Sequence, residues 1–302
     1  MARQLSPVAS FVTGSPRLAE FGYLVLTLDE LSQAKTRHSV LSLWVKGQFA
    51  RIEETAWHTA GLAVMTQPQE HAVAVGEGGL AVAYGLRGYL VREQVATGAS
   101  GPEGRGPLRG VRAIDNKVYA VGMDRQAYVR IAERNWQRIE QGLRGTAPGS
   151  AGGFESIDGY AANELYAVGW DGEIWQSDGF RWEQHASPTN VVLTDVCCAG
   201  DGSVYACGRR GLLLSGRGSS WRIIDQDVIG EDIWSLAWCG DALFLSTFDG
   251  VYAKRGDTIE LVDMGDDDPA TFYKVAAYGN LLWSIGAKDI MAYDGTAWTR
   301  ID

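Results

Sequence analysis

The segment Val204-Tyr-Ala-Cys-Gly208 is one copy of a pentapeptide that recurs along this chain at a nearly constant interval. The other copies are Val118-Tyr-Ala-Val-Gly122, Leu165-Tyr-Ala-Val-Gly169, Leu243-Phe-Leu-Ser-Thr247 and Leu282-Trp-Ser-Ile-Gly286. Their last residues are 47, 39, 39 and 39 positions apart, and His71-Ala-Val-Ala-Val-Gly76 ends 46 positions before the first of them. A fixed interval of this length indicates one structural unit repeated along the chain.

Residues 191–225 show what one unit contains. Val191-Val-Leu-Thr-Asp-Val-Cys-Cys198 and a Gly200-Asp-Gly202 turn precede the pentapeptide, and Gly211-Leu-Leu-Leu-Ser215 and Trp221-Arg-Ile-Ile-Asp225 follow it. Short apolar runs separated by glycine turns predict four antiparallel strands. Four-stranded repeats of about 40 residues are typical of β-propeller blades. We therefore expect an all-β fold and a single propeller domain over residues 1–302.

The number of blades depends on the region before His71. Tyr23–Thr27, Ser39–Val45 and Phe49–Glu53 have strand-like sequences, and Val8–Thr13 can supply the missing first strand. This interpretation gives seven blades, the first with an enlarged connection at Leu28–His38. Six blades remain the alternative if this region forms a cap. The large apolar residues that follow the second strands by 12 to 14 positions are expected to pack between blades; they are Tyr89, Trp136, Trp182, Trp221, Ile259 and Trp298.

The charge balance limits the classes of partner. The chain has 27 Lys and Arg against 37 Asp and Glu, a net charge of −10. This charge opposes binding to nucleic acid or to an anionic membrane and favours a basic partner. No apolar run approaches the roughly 18 residues that cross a bilayer, and the first residues lack an apolar signal core. We expect a cytoplasmic protein.

Two hairpins carry a resemblance to known propellers. Asp178-Gly-x-x-Trp182 and Asp294-Gly-x-x-Trp298 resemble the Asp-box hairpin of sialidase-like and photosystem-assembly-factor propellers, and the repeat period resembles that of WD-repeat propellers. Both motifs are degenerate, because Ser177 directly precedes Asp178 and no Trp-Asp dipeptide ends a strand in each repeat. The resemblance implies the fold and does not by itself imply a function.

The connections between blades contain the candidate binding residues. Two of these connections are acidic, and aromatic residues follow them closely, a mixture typical of protein-binding hot spots. The candidates are Asp225, Asp227, Glu231, Asp232, Trp234, Asp263, Asp266, Asp267, Asp268, Phe272 and Tyr273. If both acidic connections face the same way, they form one negative rim that can steer a basic partner.

The sequence offers no catalytic constellation. Its four histidines, His38, His58, His71 and His185, are far apart and belong to no metal or nucleophile motif. Asp266-Asp-Asp268 precedes Pro269 and lacks the spaced ligands of a calcium loop. We expect no enzyme activity, no cofactor and no metal.

These observations favour a non-catalytic propeller that binds another protein through its acidic loop face. A chain of this kind resembles bacterial immunity proteins, which neutralise basic secreted toxins such as nucleases. Carboxylates can occupy a nucleic-acid-binding cleft where phosphates would lie. The alternatives are an assembly factor or scaffold, and a lectin or sialidase-like sugar-binding propeller.

Overall fold

The computed structural model describes residues 4–145 and 152–302. Its seven sheets each have four antiparallel strands in sequential order. Blade 1 contains β1 (Ala9–Leu18), β2 (Phe21–Leu28), helix α1 (Asp29–Gln33), β3 (Ser39–Val45) and β4 (Gln48–Thr55). Blade 2 contains β5 (Thr59–Met65), β6 (His71–Gly76), β7 (Leu80–Tyr84), a 3₁₀ turn (Leu86–Gly88) and β8 (Leu90–Gln94). Blade 3 contains β9 (Leu108–Ile114), β10 (Lys117–Gly122), β11 (Gln126–Ala132) and β12 (Asn135–Arg138), and helix α2 (Pro102–Arg105) precedes it.

The four remaining blades also contain four strands each. Blade 4 contains β13 (Phe154–Ala161), β14 (Glu164–Gly169), a 3₁₀ turn (Trp170–Gly172), β15 (Ile174–Ser177) and β16 (Trp182–His185). Blade 5 contains β17 (Leu193–Cys198), β18 (Val204–Gly208), β19 (Leu213–Arg217) and β20 (Ser220–Ile223). Blade 6 contains β21 (Ser235–Cys239), β22 (Ala242–Ser246), β23 (Val251–Arg255) and β24 (Thr258–Leu261). Blade 7 contains β25 (Lys274–Tyr278), β26 (Leu281–Ile285), β27 (Ile290–Tyr293) and β28 (Trp298–Arg300).

These seven sheets are the blades of a β-propeller, and the predicted count of seven is confirmed. The first strand of blade 1 extends to Leu18, beyond the predicted Val8–Thr13. The enlarged connection after β2 contains α1. No helix of the described residues is long and apolar enough to cross a membrane.

The repeated pentapeptide is the second strand of its blade, and burial explains its composition. β18 and β22 are buried along their whole length, whereas the fourth strands β12 and β20 are mostly exposed. A strand covered on both faces is apolar at every position rather than at alternate positions. The sequence therefore repeats most strictly where the chain is most buried.

The two Asp-Gly-x-x-Trp hairpins form the same turn. Asp178 Oδ1 accepts hydrogen bonds from the backbone N–H groups of Phe180 and Arg181, both at 2.8 Å. Asp294 Oδ1 accepts from the N–H groups of Thr296 and Ala297, at 2.8 and 2.9 Å. The glycine after each aspartate has φ of +91° and +102°, which favours glycine over any side chain. The motif thus stabilises the turn between two strands through contacts among neighbouring residues.

The described chain divides into two compact units. The first comprises residues 4–58, 199–201 and 226–302, with blades 1, 6 and 7. The second comprises residues 59–145, 152–198 and 202–225, with blades 2 to 5.

Tryptophans of the fourth strands join neighbouring blades in the second unit, as predicted. Trp136 Nε1 donates to Glu93 Oε2 of blade 2 at 2.8 Å, and Trp182 Nε1 donates to the Ile139 carbonyl at 2.6 Å. The Trp221 ring lies 6.1 Å from that of Tyr166 in blade 4. In the first unit, Trp298 packs against a core cluster that contains residues of blade 6. Aromatic area at these joints supplies much of the cohesion between sheets.

Candidate functional site

Most of the predicted acidic residues lie in two connections of the first unit. One connection leads into β21 and the other joins β24 to β25, so each leads to the inner strand of a blade. Five of these acidic side chains are exposed and two are half-buried; the exposed ones are Asp227, Asp263, Asp266, Asp267 and Asp268, and the half-buried ones are Glu231 and Asp232. Asp225, also exposed, belongs to the second unit.

Arg300 partly compensates the charge of the second acidic connection. Its Nε lies 2.7 Å from Asp267 Oδ1, and its Nη1 lies 2.6 Å from Asp289 Oδ1. Its Nη2 also donates to the backbone carbonyl of Asp268 at 3.4 Å. Within residues 4–145 and 152–302, no base pairs with the side chain of Asp266 or Asp268. Asp266 and Asp268, like the exposed Asp263, therefore keep a charge that is available to a partner.

The predicted aromatic residues Trp234 and Tyr273 form a cluster with Phe248, which was not predicted. The ring centroid of Trp234 lies 5.2 Å from that of Phe248 and 5.9 Å from that of Tyr273. Phe248 and Tyr273 stack at 5.6 Å with an angle of 12° between their planes. Phe248 follows the Leu243–Thr247 copy of the pentapeptide directly, and this position is the signal that could have revealed it.

Repeat symmetry explains why these rings meet. Trp234 and Tyr273 hold the same position in blades 6 and 7, immediately before the inner strands β21 and β25. Phe248 and Ala287 also correspond, because each follows a pentapeptide copy. All four line one hollow of about 410 Å³, together with Phe11, Ala270, Thr271 and Phe272.

A second hollow of about 290 Å³ adjoins the first and brings carboxylates to it. It shares Phe248, Ala270 and Phe272 with the aromatic hollow, and Asp249 and Asp268 also line it. Burial raises the pKa of Tyr252, and the negative charges of Glu231 and Asp249 raise it further. Asp249 and Asp268, from two connections, thus lie beside an aromatic surface, an arrangement that suits a ligand with both apolar and cationic character.

A separate polar cluster lies on inner strands of the second unit. Arg112 Nε is 3.4 Å from Asp158 Oδ1, and Asp158 Oδ2 accepts the N–H of Cys198 at 2.8 Å. The charge of Asp158 raises the pKa of Arg112. Ser156 Oγ donates to Asp195 Oδ1 at 2.6 Å. These groups satisfy one another across blades 3, 4 and 5, so they hold the blades together.

The four cysteines are free thiols, and burial raises the pKa of Cys207 and Cys239. A raised thiol pKa keeps the side chain protonated and unreactive. Among the described residues, no group of three or more His, Cys, Asp or Glu side chains is placed to hold a metal ion.

Comparison with known proteins identifies a full-length relative. The chain is 44% identical over 307 residues to "Immune protein Tsi7" of Pseudomonas aeruginosa strain PAO1, and the alignment covers 100% of each sequence. The chain belongs to the Tsi7 family. No family model matches it.

Solved structures resemble this member of the Tsi7 family in fold alone. YCF48 from Cyanidioschyzon merolae matches with a TM-score of 0.66 and 14% identity, covering 95% of both chains. The WD40 β-propeller domain of Doa1 matches with a TM-score of 0.65 and 11% identity, covering 94% of this chain and 95% of that one. Both matches agree with the β-propeller fold, and the Doa1 match confirms the predicted resemblance to WD-repeat propellers as a resemblance of fold.

Proposed function

We propose that this protein is an immunity protein that binds a toxin and neutralises it. The observation that carries the proposal is the 44% identity to "Immune protein Tsi7" along the whole chain. Identity at this level over the full length preserves the fold. In the proposal the protein acts by occupying the toxin's surface, with no chemical step of its own, and it works in the cytoplasm.

The proposal extends to the chemistry of the toxin, which we take to be a basic protein such as a nuclease. A net charge of −10 and the exposed carboxylates of the two acidic connections support a cationic partner. A nuclease must attract phosphates, so its active cleft is basic and a row of carboxylates can block it. Complementary charge also speeds association, which matters for an inhibitor that must act before the toxin does.

Two experiments in sequence test the function. Tagged protein is used to capture partners from the native host with low-salt and high-salt washes, and each captured protein is then expressed alone and together with this chain. We expect to capture one basic protein that the high-salt wash releases. This protein should arrest growth when it is expressed alone, and co-expression of the chain should suppress its toxicity. Capture of partners that are harmless when expressed alone would contradict the immunity function and favour a scaffold.

A charge-reversal variant tests the surface. Asp266→Lys with Asp268→Lys changes two carboxylates that have no base partner among the described residues, and leaves Asp267 paired with Arg300. We expect binding of the captured toxin to weaken by about tenfold or more, mainly through slower association. Asp257→Lys is the matched control, because Asp257 is exposed in the β23–β24 turn, at the other end of β23 from Phe248 and Asp249. Equal affinities for the variant and the control would exclude this face.

A further inference from the structure

The hollow lined by Trp234, Phe248 and Tyr273, called the aromatic hollow, exposes a large aromatic ring to solvent. Phe248 is 55% exposed at the tip of the connection between β22 and β23, although its ring stacks on Tyr273. Large exposed aromatic side chains grouped with other rings mark binding surfaces rather than ordinary scatter. The hollow is of a size that takes one long side chain and its backbone.

The lining of the hollow is mainly apolar. Trp234 Nε1 is buried and has no hydrogen-bond partner within residues 4–145 and 152–302, so it is the carbon atoms of the indole that an occupant meets. Phe248 and Phe272 carry no polar atom in their side chains. A purely apolar occupant could fill such a space, but the charges around the hollow favour a different one.

Two carboxylates that have no base partner among the described residues lie beside the hollow. Asp249 and Asp268 line the adjoining hollow. One cation is also near, since Lys274 Nζ lies 5.5 Å from the centre of the Tyr273 ring. Arg300 also reaches the backbone of Asp268, but Asp267 and Asp289 match its charge, so Asp249 and Asp268 against the Lys274 ammonium leave the area negative. A negative area attracts a further positive charge.

We propose that this hollow receives an arginine side chain of the toxin, with the guanidinium against the rings of Trp234, Phe248 and Tyr273 and facing Asp249 and Asp268. The proposal rests on the proposed function and names the contact that anchors it. Arginine fits better than lysine, because its planar guanidinium stacks on aromatic rings, binds carboxylates through two parallel bonds and loses less hydration.

The first test uses a small probe and does not require the toxin. Protein labelled with 5-fluorotryptophan is titrated with N-acetyl-arginine amide, and with the neutral isostere N-acetyl-citrulline amide, while the ¹⁹F signal assigned to Trp234 through a Trp234→Phe variant is followed. We expect saturable binding of the arginine probe in the millimolar range and roughly tenfold weaker binding of the citrulline probe. Equal binding of the two probes, or no saturable shift with arginine, would overturn the proposal.

Three variants sharpen the probe experiment. Phe248→Ala removes an exposed ring and is expected to abolish the arginine shift, whereas Phe180→Ala, which removes a ring that is 85% exposed in the second unit, is the matched control and should have no effect. Lys274→Met removes the resident cation and should tighten arginine binding. Thermal midpoints are measured for all three, and an unchanged arginine affinity in a folded Phe248→Ala variant would contradict the assignment.

The second test uses the captured toxin in a double-mutant cycle. Each toxin arginine is changed to alanine and assayed against the wild-type chain and against Phe248→Ala. One of these alanine variants of the toxin should bind the wild-type chain tenfold or more weakly than the unaltered toxin does, yet bind Phe248→Ala almost as well as the unaltered toxin does. The arginine replaced in that variant is then the partner of the hollow. If the chain suppresses the toxin but every cycle is additive, the hollow assignment fails while the immunity function stands. If the arginine probe binds but no toxin is suppressed, the immunity function fails alone.

Discussion

The side chain of Asp302 binds the backbone of Leu5, with 2.6 Å between Oδ2 and the amide nitrogen. Its Oδ1 also accepts the N–H of Ser6 at 3.0 Å, and the residue is only 2% exposed. The backbone carbonyl of Asp302 accepts the N–H of Ile290 in β27 at 2.9 Å. One residue therefore joins blade 7 to the segment that leads into β1, two parts of the chain that are almost 300 positions apart.

Replacing Asp302 with alanine should destabilise this joint. The change removes two hydrogen bonds to a buried carboxylate and leaves two amide groups poorly satisfied, a loss of about 2–3 kcal/mol in the free energy of unfolding. Urea unfolding of Asp302→Ala measures it. Asp257→Ala, which changes an exposed aspartate, should stay within about 0.5 kcal/mol of the parent. A parent-like midpoint for Asp302→Ala would show that blades 1 and 7 hold together without this contact.

Gly22 tests the apolar side of the same joint. A Cβ atom at this position would overlap the indole ring of Trp283 in blade 7, which packs edge-to-face against Trp44 at 5.8 Å. Gly22→Ala should cost about 1–3 kcal/mol through overpacking. Gly230→Ala is the matched control, since a Cβ there meets nothing within 4 Å. Differential scanning calorimetry compares the two, and equal midpoints would contradict the close packing of Gly22 on Trp283.

Glu93 and Arg130 form a buried ion pair between blades 2 and 3, with 2.6 Å between Oε1 and Nη2. Glu93→Gln leaves the guanidinium buried opposite a neutral group, so we expect a loss of about 3–5 kcal/mol in the free energy of unfolding. Glu133→Gln breaks the exposed pair with Arg134 and should cost less than about 1 kcal/mol. Denaturant unfolding of both variants gives the comparison. Similar costs would mean that the Glu93–Arg130 pair is solvated.

The β27–β28 hairpin should weaken in acid. The N–H of Ala297, followed by the hydroxyl and N–H of Thr296, holds the pKa of Asp294 at about 2. This value lies below the ordinary carboxyl pKa of about 4, so the stabilisation is complete above pH 4 and is lost as the pH falls through 2. A carboxyl NMR titration measures the midpoint. Thr296→Ala should raise the pKa of Asp294, whereas Thr258→Ala should leave it unchanged; equal midpoints would contradict the hydroxyl contact.

The sequence could predict which connections are acidic and aromatic, because the composition of a connection is a local property. Trp234, Phe272 and Tyr273 line one hollow, and Asp268 of the second acidic connection lines the hollow beside it; that these residues bind a partner stays a prediction. Phe248 was not predicted, because it belongs to a turn within blade 6 and its partner Tyr273 is 25 positions later. The ion pair between Asp267 and Arg300 could not be predicted from the sequence either, because it joins a connection to the last strand of blade 7.

The sequence by itself determined the repeat, its four strands and the turns between them, whereas the choice of seven blades over six came from the structure, which forms a complete sheet over Ala9–Thr55. Strand burial and turn geometry depend on neighbouring residues, so they leave a pattern that repeats wherever the unit repeats. Only the tertiary structure decided which connections meet, which carboxylates keep their charge for a partner and which rings form a hollow. Those contacts depend on the packing of one sheet against the next, and residues brought together in that way need share no spacing along the chain.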